Sequence, residues 1–92
     1  MNKVEMVKDA MTRYMELQLK EAISIALNEQ YVSREDIAVA SELYRDIQGT
    51  VNTLDEKECD EALVACNRIV EDYEEKISYY RALREQTIRN RA

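Results

Sequence analysis

Apolar positions in the last third of the chain repeat with the period of a helix. From Thr53 onward they follow steps of three, four, three, four, seven and three, which is an a/d heptad seam. Its members are Cys59, Ala62, Cys66, Ile69, Tyr73, Tyr80 and Leu83. Thr53 and Glu56 have the spacing of a capping box. The pattern predicts one helix from Thr53 to the C-terminus, about 50 Å long at about 1.5 Å per residue.

Two features modify this seam. Lys76 stands where another apolar d residue is expected. It is either a lysine whose stem passes the neighbouring tyrosines to reach water, or a polar residue that sets the register of a helix pair. Leu63, Val70 and Ile77 lie beside the seam and widen it into a stripe that faces the core.

Two further helices are predicted before the seam. The first runs from about Lys3 to Gln30 and the second from Arg34 to Gln48. Ser33 and Asp36 have the spacing of a capping box, and Gly49, the only glycine, is placed for a left-handed residue after the second helix. Short connections make successive helices antiparallel, so the first and third should point the same way.

The composition supports an all-α fold. The 92 residues include one Gly and no Pro, too few turn formers for a chain of many strands. We therefore expect a single helical domain over residues 1–92, built as an elongated bundle of a long, a short and a long helix. Because a thin rod of this size has little interior, we also expect a homodimer.

Catalytic and metal chemistry are not indicated. The sequence has no His, and Cys59 and Cys66 are about 10.5 Å apart along one helix at about 1.5 Å per residue, too far for a disulfide within the chain. Reduced core thiols are expected, and a disulfide between two chains is the alternative. We expect no enzyme activity, no catalytic residues, no metal site and no cofactor.

Charge is the remaining candidate for function. The net charge is −6, which disfavours direct binding to nucleic acid or anionic membranes. Acids are concentrated in two clusters on the third helix: Glu56, Glu58, Asp60 and Glu61, then Glu71, Asp72, Glu74 and Glu75. Either a solvated helix face or a surface that binds a basic protein would account for the two clusters. With no signal peptide and no membrane-length apolar run, a cytoplasmic protein is expected.

In its length, acidity and helical composition with few cysteines, the chain resembles the small acidic DNA mimics that phages make early in infection, in particular the Arn-type anti-restriction proteins of T-even phages. The resemblance implies an inhibitor that occupies the DNA site of a host restriction nuclease or nucleoid protein in the host cytoplasm. Its functional residues would be the carboxylates of the two acidic clusters.

The alternative function is a helical protein-interaction module, such as an adaptor, a chaperone or an antitoxin-like partner. It would bind through an apolar stripe that includes Leu63, Val70 and Ile77, and its affinity would depend little on salt. Both hypotheses predict a protein partner, and they differ in which face of the long helix it contacts.

Overall fold

The computed structural model describes residues 2–27 and 32–91, and within these ranges it contains three α-helices. They are α1 (Lys3–Ala26), α2 (Arg34–Val51) and α3 (Glu56–Arg91). The molecule measures 52 × 26 × 17 Å along its principal axes, an elongated shape set by the 36-residue α3. The all-α, three-helix prediction is confirmed, whereas dimerisation stays a prediction.

α1 is the central helix, because α2 and α3 both pack against it and hardly touch one another. The Tyr73 hydroxyl donates to Glu16, and the Arg84 guanidinium donates to the Ile25 carbonyl. Residue numbers therefore increase in the same direction along α1 and α3. The Lys20–Asp36 ion pair joins the end of α1 to the start of α2. α1 and α3 therefore run in the same direction and α2 runs in the opposite one.

The helix starts show one confirmed and one misplaced cap. Ser33 and Asp36 form the expected capping box of α2. α3, however, begins at Glu56, and its reciprocal bonds join Asp55 and Glu58 at 2.8 and 3.1 Å. The predicted box of Thr53 and Glu56 is wrong, because the chain is still turning there: the amide of Thr53 binds Thr50 and that of Leu54 binds Val51.

Two predicted helix ends also differ. α2 continues past Gly49 to Val51, so the glycine is helical and not a left-handed cap. A glycine inside a helix costs about 1 kcal/mol relative to alanine, and the last residue of this helix, Val51, lines an apolar groove. α1 ends at Ala26 with Leu27 as its cap, and the predicted extension to Gln30 lies outside the described residues.

The core is small and lies along both sides of α1. The buried apolar side chains are Val7, Met15, Leu43, Ala62 and Ile77. The seam residues lie on the side of α3 that packs on α1: Ala62 is buried, and Cys59, Cys66, Ile69, Tyr73, Tyr80 and Leu83 are half-buried. Leu63 does not join this core, since it is 61% exposed.

The register of α3 shifts by one residue at Lys76. Ile77 is 2% exposed and fills the core position, while Lys76 is exposed with its ammonium 5.3 Å from the centre of the Tyr73 ring. Cys66 and Ile77 are eleven residues apart, which is about three turns of a straight helix at about 3.6 residues per turn. The two residues therefore lie on nearly the same side of α3, whereas a strict heptad pattern would have placed Lys76 there. Lys76 is thus a surface lysine beside a tyrosine and sets no register within the chain.

Replacing Ile77 by Ala should lower the free energy of unfolding by about 2–5 kcal/mol, because a fully buried side chain leaves a cavity. Replacing Lys76 by Ala should change it by about 0.5 kcal/mol or less, as for most surface sites. Urea denaturation followed by circular dichroism measures both. Equal effects at the two positions would show that the register described here is incorrect.

Candidate functional site

A strongly apolar concave surface lies where α2 and α3 diverge above α1. We call it the α2–α3 groove. Its volume is about 320 Å³, and no charged side chain lines it. Its lining residues are Val7 and Met11 of α1, Ile47 and Val51 of α2, Leu54 of the connector, and Cys59, Ala62, Leu63 and Cys66 of α3.

The groove follows from the length of the connector between α2 and α3. Residues 52–55 form one tight turn, which brings the end of α2 close to the start of α3. Both helices pack on α1 and hardly contact each other, so a gap remains between their inner faces. Leu54 and Val51 fill part of the gap, and Val51 remains 38% exposed.

Leu63 and Val64 distinguish the groove from ordinary surface. Both are 61% exposed and both follow Ala62 on α3. Only Leu63 lines the groove, whereas Val64 points away from it on the outer side of the helix. Isolated exposed apolar residues such as Val64 are common and need no explanation. Leu63 differs because it continues an apolar surface that is already concave.

A second concave surface of about 520 Å³ lies further along α1, against the first half of α2. It contains Ile37, 60% exposed, and Tyr44, 52% exposed, whose ring centre is 6.3 Å from that of Tyr14. Unlike the α2–α3 groove, it includes charged groups such as Glu21, Asp36 and Arg45. The more apolar groove is therefore the better candidate for burying an apolar partner.

The Lys20–Asp36 pair fixes the start of α2 on α1. The Lys20 ammonium is 2.8 Å from an oxygen of Asp36, and the same oxygen accepts the backbone N–H of Ser33. The hydrogen bond from Lys20, followed by that from Ser33, lowers the pKa of the Asp36 carboxyl below its ordinary value. Asp36 thus serves both as a helix cap and as an interhelix anchor.

Both cysteines line the groove, and both are free thiols. The Cys59 thiol is 3.9 Å from the carbonyl oxygen of Leu54. Partial burial raises the pKa of the Cys66 thiol, which opposes formation of the nucleophilic thiolate. Both thiols contribute to the apolar lining of the groove. Whether two chains form a disulfide stays an open prediction.

The eight carboxylates proposed as a DNA mimic are not equivalent. Seven are exposed, and Glu58 is half-buried and engaged in the cap with Asp55. By helical spacing from the buried Ala62 and Ile77, the side of α3 turned away from α1 carries Asp60, Glu61, Glu71 and Glu75. The structure does not gather them into a cleft, so they form an open convex surface.

Of the apolar stripe proposed for the interaction module, the structure leaves only part accessible. Leu63 is open in the groove, Val70 is half-buried, and Ile77 is committed to the core against α1. Sequence reasoning missed Val7, Met11, Ile47 and Val51 as groove residues. Val7, Met11 and Ile47 had the spacing of ordinary core residues, and Val51 lay beyond the predicted end of the second helix. No pattern within one helix shows that two neighbouring helices fail to meet.

The described residues show neither a candidate metal site nor a helix suited to span a membrane. No cluster of three or more Cys, Asp or Glu side chains has an arrangement suited to a metal ion. None of α1, α2 and α3 combines the length and apolarity needed to cross a membrane. Comparison of the chain with protein-family models, curated proteins and solved structures finds no match.

Replacing Asp36 by Asn should make the thermal stability less sensitive to acid. Because the folded-state pKa of Asp36 is lowered, its stabilisation is complete well above pH 4 and is lost as the pH falls through that pKa. The difference in melting temperature between wild type and Asp36→Asn should therefore be largest near pH 7 and shrink towards pH 3. Asp46→Asn, an exposed carboxylate on the same helix, is the control. A difference independent of pH would contradict this role.

Proposed function

We propose that this protein is a helical interaction module that binds a helix of another polypeptide in the α2–α3 groove. The single observation that carries the proposal is the groove itself: an open surface of about 320 Å³, lined by nine uncharged residues from all three helices. Water against such a surface is unfavourable, and burying apolar area gains about 25 cal/mol per Å².

The shape of the groove favours a helix as the occupant. Its walls are the divergent ends of two helices and its floor is the first half of α1. A fourth helix placed there would contact all three and complete a four-helix arrangement. Amphipathic helices commonly bind in this way, through apolar residues spaced three or four apart.

The matched pair Leu63 and Val64 provides the test. Leu63→Asp should remove binding, because it places a carboxylate in the groove. Val64→Asp makes the same change in charge and a similar change in hydrophobicity on the same helix but outside the groove, and should leave binding intact. Size-exclusion chromatography of tagged chains in a cell lysate measures the complex, for wild type and both variants.

We expect wild type and Val64→Asp to elute in a complex larger than one chain, and Leu63→Asp to elute as one chain. The complex should persist at high salt, since the contacts are apolar. Circular dichroism must show the same helix content for all three proteins. Identical elution of the two Asp variants would contradict the groove as the binding site.

A second candidate function is competition with DNA through the acidic side of α3. It is favoured by the exposure of seven of the eight cluster carboxylates along a helix of 36 residues. The two clusters occupy residues 56–75, about 29 Å of helix at about 1.5 Å per residue, comparable to about 8 base pairs of duplex at about 3.4 Å each. Arg and Lys of a DNA-binding protein would form charge-assisted hydrogen bonds with these groups.

Changing Glu71, Asp72, Glu74 and Glu75 together to their amides should abolish competition with labelled duplex DNA for such a protein. The control changes four exposed acids elsewhere, Glu5, Asp9, Glu21 and Glu42, and removes the same charge. Wild type and control should compete at low salt and progressively less at high salt. Equal loss in both variants would indicate a general charge effect, and simultaneous binding of protein and DNA would exclude mimicry.

A further inference from the structure

The chain exposes more surface than a compact protein of its mass. A monomer of 10.8 kDa has an accessible surface of about 5,500 Å² by the usual scaling. This chain has 6947 Å², which is about 1,400 Å² more. A stable interface of standard size removes about 800 Å² from each partner. The excess is thus more than enough to supply the interface of one dimer.

α3 carries a second stripe beside the one that packs on α1. It runs through Leu63, Val70 and Ile77 at seven-residue spacing and continues through Arg81 to Ile88. Leu63 at one end lines the α2–α3 groove, and Ile88 at the other end is 54% exposed. The stripe is therefore apolar and accessible at both of its ends, whereas between them Val70 is half-buried and Ile77 is buried.

The C-terminal end of α3 extends past α1. Arg84 reaches the Ile25 carbonyl in the last turn of α1, at 2.7 Å, and α3 continues to Arg91. The seven residues after Arg84 add about 10 Å of helix at about 1.5 Å each. Ile88 lies on this extension, so it is available to another molecule.

The charges of α3 are divided between its two ends. Residues 53–76 include nine acids and three bases, and residues 77–92 include one acid and four bases. Two α3 helices side by side in parallel would place the acidic halves together. In an antiparallel pair that places Leu63 of one copy opposite Ile88 of the other, Asp60 of each copy approaches Arg91 of the other. The antiparallel pair is the electrostatically favourable one.

We infer that the occupant of the groove is α3 of a second copy, antiparallel to the first, with Ile88 of each copy against Leu63 of the other. The inference rests on the proposed function, because it names the helix that the groove binds. Equal spacing about a two-fold axis then places Val70 across from Arg81, whose alkyl stem covers it. Each copy fills the groove of the other, so the contact is closed and does not propagate.

Sedimentation equilibrium of the purified full chain tests the association. Wild type should be a dimer at micromolar concentration. Leu63→Asp and Ile88→Asp should each raise the dimer dissociation constant by about tenfold or more, as expected for a central apolar contact. Val64→Asp should leave it unchanged. Ile88 lies beyond the last turn of α1, so its substitution should leave the helix content intact.

Cross-linking tests the direction, in a background where Cys59 and Cys66 are replaced by Ala. A chain carrying both Leu63→Cys and Ile88→Cys should form disulfide dimers under mild oxidation, since facing residues come within the Cα separation of about 4.4–6.8 Å that a disulfide requires. Chains with Leu63→Cys alone or Ile88→Cys alone should not, because identical positions are far apart in an antiparallel pair. Efficient cross-linking of either single variant would overturn the arrangement.

A monomer at all concentrations, or a dimer unaffected by Leu63→Asp and Ile88→Asp, would also overturn the inference. The proposed function fails differently. If the purified chain is monomeric while a complex that depends on Leu63 forms in the lysate, the groove binds a different protein and only the identity of the occupant is wrong. If no complex in either setting depends on Leu63, the groove is not a binding site.

Discussion

The structure depends on α1, because both other helices pack against it. α1 carries apolar residues around much of its circumference, so α2 and α3 both pack on it while hardly contacting each other. Val7 and Met15 are buried by this shared packing, and Leu43 and Ile77 are the residues of α2 and α3 that are buried deepest. Removing α1 would leave neither neighbour with a surface to cover its apolar side.

Polar contacts between α1 and its neighbours define the relative positions of the helices and contribute little to the apolar core. Lys20–Asp36, Tyr73–Glu16 and Arg84 to the Ile25 carbonyl each join α1 to a neighbour at a defined level. Such exposed contacts contribute little energy individually. They nevertheless specify how far each helix slides along α1, and hence where Leu54, Val51 and Leu63 meet to form the groove.

A small core and an open groove have the same origin. Within residues 2–27 and 32–91, five apolar side chains are buried. Several residues that would enlarge the core instead line the space between α2 and α3. The thiols of Cys59 and Cys66 are suited to this position because they are apolar in their protonated form and small. Binding a helix in the groove would extend the core without any rearrangement of the three helices, which is the physical basis of the proposed interaction.

The sequence alone determined the helical class, the three elements and most of the side of α3 that packs on α1, because a 3.6-residue period is local information. It also located the cap of α2, where Ser33 and Asp36 are three residues apart. It misplaced the cap of α3 and the end of α2, since the turn at 52–55 and the contacts of Val51 outweigh local preference. Only the tertiary structure decided that Ile77 is core and that Leu63 lines a groove. Those assignments depend on how two helices diverge from a third, which no spacing within one helix encodes.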